Sequence, residues 1–297
     1  HMEMAEYGKT PKGGVNRQAL SPEEIEARKQ LFQWARELNL QSLGDAAGNL
    51  FFRREGIDPG GPPVMTGSHI DSQPTGGKFD GTYGVLAAFE AVRALNMAKI
   101  KTLRPIEIAV WMNEEGSRFA PGMMGSEAFS GIRNIKKILS VQDKDGMSVS
   151  DELKKTEQAI PPNKIVPLER RVSAFVEAHI EQGPILEKEQ KTIGVVTGIQ
   201  GVRRMRVKVI GEESHAGTTP RSARKDALWE ATRMISALHD KLYVDDDVRF
   251  TIGMIRPAPN VPSVIASEVI FSIDIRHPES KLLEKLAGEV DKICKGQ

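Results

Sequence analysis

Pro105-Ile106-Glu107-Ile108-Ala109-Val110-Trp111-Met112 is the stretch on which the fold turns. It is apolar almost without a break, the pattern of a strand buried on both faces, and such strands belong to parallel sheets covered by helices. Upstream, Val64-Met65-Thr66-Gly67-Ser68-His69 reads as a second short strand after Pro62-Pro63. Residues 84 to 95, rich in Ala, Leu and Val, read as the helix between the two. Ser21-Pro22-Glu23-Glu24 supplies a cap residue, an N1 proline and two acids ahead of an amphipathic helix reaching Leu38. Residues 3 to 20 are polar and Gly-rich. Downstream, residues 132 to 170 are charged and read as a helical excursion, and residues 174 to 178 and 191 to 197 read as strands. Strands alternating with helices give an α/β fold with a mixed, largely parallel sheet.

The pattern changes after Gly201. Residues 203 to 210 alternate as a half-exposed strand, 223 to 242 are helical, 249 to 255 and 268 to 276 are strands, and 280 to 294 are helical. That β-α-β-β-α order is a ferredoxin-like split βαβ unit without its last strand. Two domains are expected, residues 3–200 and 201–297.

Composition narrows the function. Among 297 residues, 41 Lys and Arg balance 40 Asp and Glu, so the net charge of +1 gives no footprint for nucleic acid or an anionic membrane. No apolar run approaches the ~18 residues of a transmembrane helix. One cysteine, Cys294, cannot form an internal disulfide, and no secretory signal opens the chain, so a cytoplasmic location is expected.

Four clusters carry chemistry, each just past a strand or helix, where α/β sheets hold ligands. In Gly67-Ser68-His69-Ile70-Asp71, the histidine and aspartate lie two apart, so Asp71 can hold the His69 ring from behind. Asp80 follows in Gly76-Gly77-Lys78-Phe79-Asp80-Gly81, where glycines let a carboxylate into a crowded site; the plainer alternative is a helix cap. Glu114 and Glu115 in Trp111-Met112-Asn113-Glu114-Glu115-Gly116 end the buried strand, and neighbours on a strand face opposite ways, which allows separate roles. Glu177-Ala178-His179-Ile180-Glu181-Gln182-Gly183-Pro184 adds a second histidine. Imidazole and carboxylate without thiolate suit Zn²⁺, Mn²⁺, Co²⁺ or Ni²⁺. Ser214-His215-Ala216-Gly217-Thr218-Thr219-Pro220 lies in the second domain, so His215 reaches a site in the first only by domain closure or across a dimer. His239 reads as a surface residue and His277 as a turn residue.

These motifs, in this order, resemble the carbamoylase and allantoate-amidohydrolase branch of the dinuclear metallohydrolases, over almost the whole chain. The resemblance implies a catalytic domain with an inserted lid that also forms a homodimer. It implies two divalent metal ions, His69, Asp80 and His179 on one, with Asp80 bridging to a second that also binds Glu115. Glu114 matches the general base, Asp71 the carboxylate behind His69, and His215 an oxyanion stabiliser. Gln182, His215 and Arg276 match substrate contacts. The implied substrate is a small N-carbamoyl-L-amino acid or related ureido acid, with allantoate, or a non-catalytic binding and dimerisation role, as the alternatives.

Two departures go with it. The family's fifth ligand is a histidine in a C-terminal Gly-His-Asp segment, and this chain has none. The chain therefore reads as C-terminally truncated, with weak metal binding and poor activity expected of it alone. Relatives also place an asparagine thirteen residues before the carboxylate-binding arginine. Here that position is Ser263, with Asn260 three residues earlier as the other candidate for the substrate contact.

Overall fold

The computed structural model describes residues 1–295, which pack as two units, one from His1 to Gln190 and one from Lys191 onward. In the first unit, helix α1 (Pro22–Glu37) starts where the sequence places it. Ser21 Oγ accepts the Glu24 N–H at 3.2 Å, and the Glu24 carboxylate accepts the Leu20 N–H at 2.7 Å. The first bond satisfies a donor that the first turn leaves free, and the second ties the chain entering the helix to Glu24. Strands β1 (Gln41–Gly44) and β2 (Leu50–Arg54) follow, then β3 (Val64–His69), α2 (Thr82–Met97) and β4 (Ile106–Trp111). Short helices α3 (Met124–Phe129), α4 (Ile135–Leu139) and α5 (Val149–Ala159) lead to β5 (Lys164–Ile165), β6 (Ala174–Val176) and α6 (Ile185–Lys188).

The six strands form one sheet in the order β5-β1-β2-β4-β3-β6. Pairings β1–β5, β3–β4 and β3–β6 are parallel, and β1–β2 and β2–β4 are antiparallel, so the sheet is mixed. Residues Ile108 and Val110 of β4 pack with α1 and α2 through Leu31, Phe32, Val85 and Phe89, while Ala109 and Trp111 pack with Phe51 and Met65 on the other face. That two-sided burial is what the unbroken apolar run requires.

Ahead of Gly201 the structure corrects the element layout at three places. The β1–β2 hairpin has no counterpart in the sequence reading; Asp45 makes its turn by accepting the Ala47 and Asn49 N–H groups at 2.9 and 3.2 Å. Residues 132 to 170 hold two short helices and β5 rather than a wholly helical excursion. Residues 191 to 197 form no strand: Ile193, Val195 and Val196 are exposed and the backbone has no ladder partner, and apolar alternation without a neighbour to pair with does not make a strand.

The second unit contains β7 (Gly201–Ile210), β8 (Ser214–His215), α7 (Ala227–Leu242), β9 (Arg249–Thr251), β10 (Ile255–Ala258), β11 (Val264–Ile265), β12 (Glu268–His277) and α8 (Ser280–Lys295). β12 pairs antiparallel with β7 over ten residues, and with β9 and β10 along its other edge. Helix α7 begins four residues later than the sequence suggests, because Asp226 caps it by accepting the Leu228 and Trp229 N–H groups at 3.0 and 3.1 Å. Leu238, Leu242, Leu283, Leu286 and Val290 of the two helices cover Val269, Phe271, Ile273 and Ile275 of β12. His277 ends β12 and is buried, its Nδ1 accepting the Glu279 N–H at 3.0 Å. Among the described residues, no helix is long and apolar enough to cross a membrane.

Candidate metal centre

His69 is the last residue of β3, Asp80 lies just ahead of α2, and His179 lies three residues beyond β6. One ligand atom from each meets the others within 4.8 Å. The parallel pairing of β3 and β6 brings the two histidines to the same sheet end, where open α/β sheets hold ligands. Each ring is fixed through Nδ1. His69 Nδ1 lies 2.9 Å from the Asp71 carbonyl and His179 Nδ1 lies 2.8 Å from the Ile180 carbonyl. A carbonyl only accepts, so Nδ1 keeps its proton and Nε2, which takes the second proton when the ring is charged, is the atom that would bind a cation once that proton is displaced. Those Nε2 atoms face carboxylates: His179 is 3.4 Å from Asp80 Oδ1, and His69 is 4.0 Å from Asp80 Oδ1 and 3.5 Å from Glu114 Oε2. Such gaps are longer than hydrogen bonds and leave room for a cation. Gly81 makes the crowding possible: at φ +60° a Cβ there would stand 2.3 Å from His69 Nε2.

The carboxylate pair is arranged differently from the expected strand alternation. β4 ends at Trp111, and Asn113, at φ +50°, turns the chain so that Glu114 and Glu115 lie in the following loop. Asp71 holds both. Its carboxylate accepts the Glu114 N–H at 3.2 Å and the Glu115 N–H at 3.1 Å. The expected carboxylate-to-ring contact behind His69 is therefore corrected: the ring bonds the Asp71 carbonyl, and Asp71 Oδ1 stands 3.6 Å from Nδ1. Burial works against the His69 imidazolium, but Asp71 and Glu114 outweigh it and hold His69 up at about 9. Burial pushes Glu114 and Glu115 above the usual carboxylate range.

These groups fit a divalent cation. Two imidazole nitrogens and an aspartate oxygen are the donor types of Zn²⁺ and related first-row ions. Glu115 Oε1 is buried and, among the described residues, has no hydrogen-bond partner, an orphaned acceptor of the sort a cation satisfies. Gln182, at φ +56°, donates through Nε2 to Asp80 Oδ2 at 2.6 Å.

His215, Asn260 and Arg276 belong to the second unit. The short β8–β11 pair carries His215, and the Ser263 carbonyl accepts the Ala216 N–H beside it at 3.0 Å. Asn260 sits at φ +58° in the loop ahead of β11. Arg276 donates to Asp274 at 2.8 Å and lines, with Arg204, Arg206 and Arg249, a cleft of about 740 Å³ on the sheet face away from α7 and α8. Sequence reading missed Gln73, which donates to Glu115 Oε2 at 2.9 Å, and Glu177, which accepts the Ser68 hydroxyl beside His69. Glu177 was legible as a neighbour of His179; Gln73 carries no signal beyond lying two residues past Asp71.

Residues 65–285 match peptidase family M20/M25/M40. An N-carbamoyl-L-amino-acid amidohydrolase of Rhizobium meliloti is 39% identical over 99% of this chain and 71% of its own length. An allantoate amidohydrolase of Escherichia coli is 34% identical over 98% of this chain and 72% of its own length. A crystal structure of an amidase of the hydantoinase/carbamoylase family from Burkholderia multivorans superposes with a TM-score of 0.86 at 44% identity, covering 99% of this chain and 72% of that one.

Proposed function

This chain belongs to peptidase family M20/M25/M40 and is a hydrolase of amide C–N bonds, and from that premise we propose that it is a two-metal amidohydrolase of N-carbamoyl-L-amino acids. The observation that carries the reading is the convergence of His69, Asp80 and His179 within 4.8 Å, beside Glu114 and the unpartnered Glu115 Oε1.

His69, Asp80 and His179 would hold one divalent ion, Zn²⁺ or Mn²⁺, and Glu115, with Asp80, would hold a second. A bound ion of this kind polarises the carbamoyl carbonyl and lowers the pKa of water from 15.7 towards about 7. Asp71 keeps Glu114 and Glu115 in place through their N–H groups. Glu114, whose Oε2 lies 3.5 Å from His69 Nε2, takes up the proton of the attacking water and delivers it to the leaving nitrogen. Gln182 orients Asp80. His215 stabilises the oxyanion, a role worth about 3–4 kcal/mol, and Arg276 pairs with the substrate carboxylate, from this chain or from a second copy. Asn260 or Ser263 completes the substrate contacts. One water consumed yields the amino acid, ammonia and carbon dioxide. The second unit acts as lid and homodimer surface, with the free edge of β7 available for pairing.

The test is ammonia release from N-carbamoyl-L-amino acids and allantoate, and release of free amino acid from N-acetyl amino acids and dipeptides, with Mn²⁺ present. Turnover of N-carbamoyl-L-amino acids is expected. Turnover of allantoate alone overturns the substrate class, and turnover of the acetyl or dipeptide substrates alone overturns the carbamoyl chemistry.

A further inference from the structure

Arg17 is a buried charge that the proposed chemistry leaves unused. It lies in the polar stretch ahead of α1, outside any helix or strand, yet is only 1% exposed. Its guanidinium donates to four neutral oxygens: Nε to the Ile70 carbonyl at 2.7 Å, Nη1 to the Met4 and Tyr7 carbonyls at 3.0 and 2.8 Å, and Nη2 to the Thr82 hydroxyl at 3.1 Å. Burying a guanidinium without a carboxylate in contact is costly, and a chain that keeps one needs its geometry.

The geometry concerns the metal ligands. Ile70 sits between His69 and Asp71. Thr82 is the second residue after Asp80 and the first of α2. One planar group thus touches the segment carrying His69 and the segment carrying Asp80. The backbone adds to this: Arg17 N–H donates to Ser72 Oγ at 2.9 Å, Ser72 N–H donates to the Arg17 carbonyl at 2.8 Å, and Val15 exchanges hydrogen bonds of 3.0 and 2.9 Å with Gly76. Residues 15 to 17 therefore run as a strap along 72 to 76, beside the loop that presents Asp71 and Gln73.

We infer that Arg17 is a positioning residue for the metal centre: by spanning the Ile70 carbonyl and the Thr82 hydroxyl it sets the separation of His69 from Asp80. The inference rests on the metal reading above. Only a rigid fork of several donors reaches both acceptors at once; a lysine ammonium is a point donor on a flexible stem. Groups that orient metal ligands from behind typically change affinity by about 10–100-fold when removed.

The experiment is a calorimetric titration of Co²⁺, with the visible spectrum of the bound ion, on the wild type, Arg17→Met, Arg17→Lys, Thr82→Val and the control Arg28→Met. Arg28 is equally buried but bonds Glu24 and the Gly48 carbonyl, away from the ligand segments. The expected result is a loss of about 10–100-fold in affinity with an altered spectrum in both Arg17 variants. Thr82→Val should give a smaller loss in the same direction, and Arg28→Met wild-type affinity at reduced stability. Should the Arg17 variants fail to fold, Thr82→Val decides, since it removes one arm of the contact and keeps the guanidinium. Wild-type affinity and spectrum in Arg17→Met or Thr82→Val, or an equal loss in Arg28→Met, overturns the inference. A wild type that binds no Co²⁺ overturns the metal reading itself, and this inference with it.

Discussion

Glu114 Oε2 lies 3.5 Å from His69 Nε2 and is the carboxylate best placed to move a proton beside the ligand cluster. Its backbone is fixed by Asp71, so the isosteric Glu114→Gln change removes the proton acceptor and little else. We expect kcat to fall about 10²–10⁴-fold with metal content unchanged, as steady-state kinetics and metal analysis of the same sample will show. A second residue gives a prediction about stability. Asp45 is 1% exposed, and burial pushes its carboxyl up from 3.8 to about 6, against the opposing hydrogen bonds from Asn49 and Ala47. A folded-state pKa above the unfolded one favours folding below the unfolded value, and that contribution is lost as pH rises through the folded pKa. Stability from this group should therefore fall by at most about 3 kcal/mol between about pH 4 and pH 7. In Asp45→Asn, urea denaturation should show that part of the slope gone.

At the scale of elements, the site depends on how β3, β4 and β6 end and where α2 begins. Gly81 is the tightest point, because its φ of +60° and the His69 ring both exclude a side chain. Gly81→Ala should cost about 1–3 kcal/mol in backbone strain alone, and it should displace His69, so metal titration should show weaker binding alongside the lower denaturation midpoint. What was legible in the sequence follows the same elements. β4 and α2 were readable from their apolar runs, α1 from its Ser-Pro-Glu-Glu cap, and β3 from Val64-Met65 after Pro62-Pro63 and before the polar residues that end it. The β1–β2 hairpin was not, because four- and five-residue strands carry no period of their own and their turn depends on Asp45 meeting Asn49. The 191–197 stretch misled because its β-branched residues find no partner strand among the described residues. Arg17 and Gln73 were unreadable for a different reason: their partners are 53 and 42 residues away in sequence, and only the folded chain brings them together. The candidate ligands His69 and His179 stood out as histidines at or past strand ends and Asp80 as an acid between glycines, whereas the route by which Asp71 holds its neighbours shows only in the folded chain.

For the whole molecule, the proposal divides labour between the two units: ligands and base in the first, carboxylate recognition in the second. Arg276→Gln should accordingly raise KM by about 10-fold or more, the worth of a charge-assisted pair, and leave metal content untouched; a loss of metal in that variant would contradict the division. The central claim concerns the cluster itself, and the most direct measurement is the metal retained after loading with Mn²⁺ or Zn²⁺ and desalting, for the wild type and Asp80→Ala side by side. Asp80 Oδ1 faces both histidine Nε2 atoms, at 3.4 and 4.0 Å, and removing it takes away the one carboxylate of the three-residue cluster. The account predicts at least about one ion per wild-type chain and essentially none in Asp80→Ala. Equal retention by the two proteins, or none by the wild type, would contradict it.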